Sequence, residues 1–147
     1  MIYYQDKDLT VRAMYPSDCQ AFHQGFAAQG WDKPFSQFER YFEEQREGVK
    51  KVLVAVLQGE VAGYTTLLPQ APAGPFAGMG WPEVCDFNVL EKFQRRGIGR
   101  ALMEAVLDRY AAVRQIQLTT DDTPRTLAFY RSLGFREYSE LGCRGFL

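Results

Sequence analysis

The sequence is short of several things, and each shortage excludes something. It has one histidine, His23, and three cysteines far apart, Cys19, Cys85 and Cys143, in 147 residues. An odd, scattered set of cysteines excludes a disulfide framework and, lacking close pairs, a zinc knuckle. They read instead as small, reduced, buried residues. A single histidine leaves Ser-His or Cys-His nucleophile systems one available base. His23 lies in "SDCQAFHQGF", a helix-like stretch without a catalytic companion, and reads as a surface or boundary residue. One histidine among scattered carboxylates predicts no metal site.

Net charge is also missing. Lys+Arg is 17 against Asp+Glu 18, a formal balance of −1, so the basic surface that nucleic acid requires is absent and no nucleic-acid partner is expected. No apolar run approaches the ~20 residues of a membrane span. The opening "MIYYQDKDLT" has neither the basic nor the apolar section of a secretory signal. The expectation is a cytoplasmic protein with no membrane partner, in which recognition of an anion must be local.

What is present is ordinary for one domain spanning residues 1–147: 46% hydrophobic and 24% charged residues. "DLTVRAMY" alternates like a half-buried strand. Pro16, Ser17 and Asp18 then open a helix. "PFSQFERYFEEQREG" spaces Phe35, Phe38 and Phe42 as the core stripe of a helix stopped near Gly48. "KKVLVAVLQGEVAGYTTLLP" reads as two strands around a tight turn at Gln58-Gly59-Glu60. Residues 70–82, rich in Pro and Gly, form a loop. "EVCDFNVL" is a strand. A helix follows to about Val113, then the strand "QIQLTT", and then a helix with Thr123 at its N-cap, Pro124 at N1 and Gly134 past its end. "FREYSE" and "CRGFL" predict two short final strands. The fold class is α/β (α+β), with a mixed sheet.

The densest basic patch is "FQRRGIGRALMEAVL", residues 93–107. A Walker-type loop is excluded by spacing and by the absent lysine, and a dinucleotide fingerprint by Leu102 in its third glycine position. Without Cβ atoms, Gly97 and Gly99 let the backbone turn tightly and bring its N–H groups against a ligand. The helix that follows leaves its first N–H groups unpaired at the positive end of its dipole. A diphosphate suits such a corner, with Arg95, Arg96 and Arg100 supplying charge. The alternative is a solvated turn with ordinary surface arginines.

"EVCDFNVLEKFQRRGIGRALM", followed by "TPRTLAFYRSLGF", resembles the GNAT superfamily of acetyl-CoA-dependent N-acetyltransferases. Gln94, Gly97 and Gly99 match the family's glycine element. Phe129, Tyr130, Gly134 and Phe135 match its later helix, and "TVRAMYPSD" its first strand and turn. The resemblance implies a single-domain, mostly antiparallel mixed sheet with splayed central strands and about four flanking helices. It implies acetyl-CoA as co-substrate and direct attack by a primary amine, of a small molecule or a peptide, without a covalent enzyme intermediate. It assigns Gln94, Arg95, Arg96, Gly97, Ile98, Gly99 and Arg100 to the pyrophosphate. Phe87, Asn88 and Val89 lend backbone groups to the pantetheine arm, and the N–H near Val89 faces the developing oxyanion. Thr123 stands where many members have an asparagine that bonds the cofactor arm; here it caps the helix or does both.

Two proton transfers remain to be assigned. Tyr130 matches the acid that protonates the departing thiolate. On its helix it points about 100° away from Phe129, so the two cannot both face the core. Glu83, eleven residues before Gln94, is the candidate base, as in histone-type members. Asp86 is its rival and by strand alternation faces the other side; water is the third possibility. Trp31, Phe35, Tyr41, Phe76 and Trp81 lie near the acceptor region, with Phe76 and Trp81 the better pocket walls. Asp32, Glu83 and Asp86 nearby favour a cationic amine. Twelve residues follow Phe135, which predicts an open acceptor site that a second subunit of a homodimer would complete. Readings outside catalysis are a non-catalytic acyl-CoA sensor and an interaction module.

Overall fold

Short runs of strand-forming residues, broken by turn residues, make six strands here, the central ones buried on both faces, and two amphipathic helices cover each side of the sheet they form. The computed structural model describes residues 1–74 and 76–142. In chain order the elements are β1 (Ile2–Gln5), β2 (Leu9–Ala13), α1 (Asp18–Ala28), α2 (Phe35–Arg46), β3 (Lys51–Leu57) and β4 (Glu60–Leu68). Then follow β5 (Glu83–Val89), α3 (Ile98–Arg109), β6 (Gln117–Leu118) and α4 (Pro124–Ser132). The strands lie in the order β1-β2-β3-β4-β5-β6. All neighbours are antiparallel except β5 and β6, which run parallel.

Local chemistry explains the joints. Gln58 and Gly59 both have positive φ (49° and 82°), the two-residue turn whose twist suits the β3–β4 hairpin. At the start of α1 the Asp18 carboxylate accepts the Tyr15 N–H at 2.7 Å and both Arg12 guanidinium nitrogens at 2.8 and 3.0 Å, tying β2 to the helix. On one face of the sheet, Tyr64 of β4 packs against Phe22 and Phe26 of α1 and Phe38 of α2, with ring centroids 5.1, 6.2 and 5.6 Å away. The other face receives α3, whose Ile98, Leu102, Met103, Ala105 and Val106 are buried at helical spacing.

The structure departs from the sequence expectations at several points. β1 is an additional edge strand: Ile2 and Tyr4 remain exposed, so no buried stripe announces it. α3 ends at Arg109, four residues before Val113. "FREYSE" is not a strand. Arg131 of α4 holds Glu137 at 2.6 Å and Glu140 at 2.8 Å, and that clamp winds residues Tyr138–Leu141 into a 3₁₀ turn. "CRGFL", with Cys143, lies outside the described residues. Phe35 is exposed at the mouth of α2, and Tyr41 joins Phe38 in the core instead. Cys19 is buried but Cys85 is exposed, because Cys85 is an extra residue in its strand.

That extra residue matters. Opposite β4, Asp86 pairs with Thr66 and Val84 with Leu67, leaving Cys85 without a partner in a β-bulge. Glu83, Asp86 and Asn88 then stand opposite Leu68, Thr66 and Tyr64, which alternate along one face of β4. Glu83 and Asp86 therefore share a face, contrary to the alternation expected from their spacing. A one-residue slip reverses every side chain beyond it.

Candidate active site

The site begins where β5 loses a neighbour. Its pairing with β6 is confined to Glu83–Gln117 and Val84–Leu118, and beyond Val84 the two strands part. On the β4 side, the Leu90 N–H donates to the Ala62 carbonyl at 2.8 Å. By antiparallel alternation the backbone groups of Asn88 also face β4, while those of Phe87 and Val89 face the opening. The Val89 carbonyl accepts from Gln94 Nε2 at 3.2 Å, and the Phe87 N–H donates to Asp86 Oδ1 at 3.0 Å.

A cleft of about 540 Å³ fills this opening, bounded by β5, the start of α3 and one side of α4. Gly97 is the N-cap of α3 with φ +80°, and Arg95 is held at φ +64°, a conformation that disfavours any side chain. Among the described residues, no main-chain N–H from Arg95 to Arg100 donates to the protein. Gly99 serves a different need. A Cβ there would lie 3.3 Å from the Phe87 ring and 3.4 Å from the Phe129 ring, so its absence lets β5, α3 and α4 close together. The first turns of α3 and α4 contain no acidic residue but do contain Arg100 and Arg125. Both cations stand where a helix dipole disfavours them, an arrangement suited to a bound anion.

Of the residues singled out in the sequence, the cleft brings together Phe87, Asn88, Val89, Gln94, Arg95, Gly97, Ile98, Gly99, Arg100 and Tyr130. Arg96 is outside it, with its guanidinium 5.9 Å from the Phe93 ring centroid. Thr123 is at the N-cap of α4 but makes no side-chain cap bond. Its hydroxyl donates to Asp121 Oδ1 at 2.9 Å, and Asp121 does line the cleft. Glu83 also lies outside, at the far end of β5. Phe129 and Tyr130 both reach the cleft despite their angular separation, because α4 straddles Phe87. Their rings lie 5.7 and 6.4 Å from it, and neither is fully buried. Burial, followed by the charge of Asp121, pushes the Tyr130 hydroxyl up from its ordinary pKa, so it stays protonated at neutral pH. Of the two tryptophans, Trp31 lines the cleft. Phe76 packs on Trp81 and Tyr138 instead, and lines a separate groove beside β6.

On the other face of β5, Asp86 is the hub of a cluster that the sequence does not announce. Its Oδ2 accepts the hydroxyls of Tyr41 at 2.6 Å and Tyr64 at 2.7 Å, and its Oδ1 accepts Asn88 Nδ2 at 2.8 Å. Lys33 Nζ lies 3.8 Å from Oδ2. Tyr41 comes from α2, Tyr64 from β4 and Lys33 from the link between α1 and α2, and nothing in their sequence spacing connects them. Asn88 joins the cluster to the cleft, donating to Tyr64 Oη at 3.1 Å while also lining the cleft. Arg125 was legible in principle, as a basic residue directly after a helix-opening Pro124. Among the described residues no group of three or more His, Cys, Asp or Glu side chains is arranged to hold a metal ion.

A family model described as "Acetyltransferase (GNAT) family" matches residues 12–135. No curated protein matches the chain. Among solved structures, a GNAT-family acetyltransferase from Streptococcus pneumoniae TIGR4 is 27% identical with a TM-score of 0.66, over 95% of this chain and 96% of that one. Two others share the fold. An acetyltransferase from Salmonella typhimurium, described as modifying the N-terminal serine of 50S ribosomal subunit protein L7/L12, is 18% identical with a TM-score of 0.68 (90% and 83% covered). An aminoglycoside acetyltransferase from an uncultured soil metagenomic sample is 20% identical with a TM-score of 0.62 (97% and 93% covered).

Proposed function

The chain belongs to the GNAT acetyltransferase family, and we propose that it transfers an acetyl group from acetyl-CoA to a primary amine by direct attack in a ternary complex. The observation that carries this reading is the cleft itself. An opened strand edge at β5 leads at one end to the bare N-terminus of α3, and Tyr130 of α4 forms part of its wall. The donors there fit the co-substrate. Main-chain N–H groups between Arg95 and Arg100, with Arg95, Arg100 and Arg125, suit a diphosphate, and the open edge at Phe87 and Val89 suits an amide-bearing arm. When bound, acetyl-CoA supplies an activated acyl carbon.

The chain's own residues then have three tasks. The Val89 N–H faces the opening and can donate to an oxygen that gains negative charge. Tyr130, kept protonated by burial and by Asp121, can give its proton to a departing sulfur. An alkylamine acceptor, with a pKa of about 10.4, must lose a proton before it attacks. Glu83 is the candidate base and would act from outside the cleft through water; Asp86, nearer the cleft, carries its own ring of donors. A small-molecule amine and a peptide amine remain the two acceptor classes, the classes named for the soil and Salmonella enzymes.

Thermal unfolding with and without acetyl-CoA, followed by CoA release with a panel of amines, tests the proposal. Ligand at 100 times its dissociation constant is expected to add about 2.7 kcal/mol of stability. Absence of stabilisation removes the reading. Stabilisation without CoA release for any amine supports a non-catalytic acyl-CoA sensor instead.

A further inference from the structure

Asn88 is the only asparagine in the sequence, and it has dealings on both sides of β5: its side chain bonds the Asp86 cluster, and the residue lines the cleft. Its two amide N–H groups are committed. One donates to Asp86 Oδ1 at 2.8 Å and the other to Tyr64 Oη at 3.1 Å. Both partners are themselves fixed. Asp86 Oδ1 also takes the Phe87 N–H at 3.0 Å. Tyr64 Oη accepts from the buried Lys33 ammonium at 3.1 Å and donates to Asp86 Oδ2 at 2.7 Å, so its lone pairs and its proton are all in use. Reversing the Asn88 amide would set its oxygen against the Asp86 carboxylate, acceptor against acceptor, and forfeit both bonds. The network therefore decides which way the amide faces.

That leaves Asn88 Oδ1. Among the described residues no donor reaches it, whereas Gln29 Oε1 and Gln94 Oε1, the other side-chain amide oxygens of the cleft wall, accept from the Glu91 N–H at 2.9 Å and from Arg125 at 3.4 Å. Nor is it walled in. Among the same residues, the buried side-chain oxygens without a partner are those of Thr66 and Tyr110. The main-chain groups of Asn88 face β4, so its side chain is what it turns toward the cleft. A carbonyl oxygen held in one orientation, accessible and without a donor, suits the N–H of a ligand. The Val89 N–H, which faces the opening, lies one residue along the strand, a rise of roughly 3.3 Å. By alternation the Phe87 side chain takes the opposite face, where the Tyr130 ring lies 6.4 Å from it. An amine at Asn88 thus reaches the open edge from the side away from Tyr130, and the attacking nitrogen does not compete with the proton donor for space.

We propose that Asn88 Oδ1 accepts an N–H of the acceptor amine and so turns the nitrogen lone pair toward the acyl carbon. The inference rests on the N-acetyltransferase reading. The lone pair forms the C–N bond as the C–S bond breaks, the sulfur takes the Tyr130 proton, and the surplus proton of the amine goes to water. An amide oxygen is too weak a base to keep a proton, so Asn88 orients the amine and leaves deprotonation to another group. Asp86, Tyr64 and Lys33 act at one remove. They hold the amide in place, and none of the three lines the cleft.

The test begins with rates of CoA release for the wild type with phenethylamine, spermidine and a short peptide bearing a free N-terminus. Because the sequence has a single asparagine, wild-type protein labelled at the asparagine side-chain carbonyl carbon gives one NMR signal. With CoA present and the best of the three amines at saturation, that signal is expected to move relative to CoA alone. A signal that stays in place overturns the proposal, and this measurement decides even if a variant does not fold. Asn88→Leu is expected to lower kcat/KM for the same amine about tenfold or more, with the dissociation constant of acetyl-CoA unchanged by calorimetry. Unaltered kcat/KM in this variant overturns the proposal, and so does an equal loss of acetyl-CoA affinity, which would assign Asn88 to the cofactor edge. Those failures leave turnover by the wild type intact. A wild type that releases no CoA with any of the amines overturns the functional reading, and the role of Asn88 with it.

Discussion

On one face of β5 a cleft is lined by main-chain N–H groups and by arginines that remain largely exposed. On the other, Asp86 meets its surroundings through side chains of Lys33, Tyr41, Tyr64 and Asn88, most of them buried. The first surface is assembled around one contiguous stretch, residues 87–100, with α4 laid over it. The second gathers residues from four separate parts of the chain. Backbone donors at a helix start suit any diphosphate and tolerate variation in the surrounding side chains. A saturated carboxylate tolerates little, because each donor removed leaves a buried polar group without its partner.

The contrast predicts different failures on the two faces. Asp86→Ala leaves two tyrosine hydroxyls without their acceptor and the Lys33 ammonium without its counter-charge. It is expected to lower folding stability by about 3 kcal/mol, measured by urea unfolding; a loss below about 1 kcal/mol would show the cluster to be as permissive as the cleft. Tyr130→Phe, on the cleft face, should leave unfolding unchanged and lower kcat about 100-fold, close to 2.7 kcal/mol of barrier, with acetyl-CoA affinity retained by calorimetry. Unaltered turnover refutes Tyr130 as the acid. Gly97→Ala has open space for its Cβ but a φ of +80°. The expected penalty is about 1 kcal/mol of stability, with weaker acetyl-CoA binding that calorimetry would detect. Affinity equal to wild type would separate the corner from the diphosphate.

The cleft face was readable because its signals are local. Gly97, Gly99 and the following apolar period declare a tight turn and a helix within a dozen residues, and Thr123-Pro124 with Gly134 bracket α4 in the same way. Even there the reasons differ from residue to residue. Gly97 is needed for its backbone conformation, and Gly99 for the approach of Phe87 and Phe129. Arg96, adjacent to two residues that reach the cleft, does not reach it. The Asp86 face was not readable, because the register of β5 depends on a single unpaired residue. Strand alternation puts Glu83 and Asp86 on opposite sides, and the bulge at Cys85 puts them on one.

The sequence by itself determined the family, the order of elements and the glycine corner, since helix caps, turns and hydrophobic periods are set by neighbours a few residues apart. Only the tertiary structure decided which carboxylate sits beside the cleft, that Trp31 lines it while Phe76 and Trp81 stack apart, and that a buried lysine faces Asp86. Those outcomes depend on a strand register and on contacts between residues tens of positions apart. Packing of the whole chain fixes such contacts, and no local pattern encodes them.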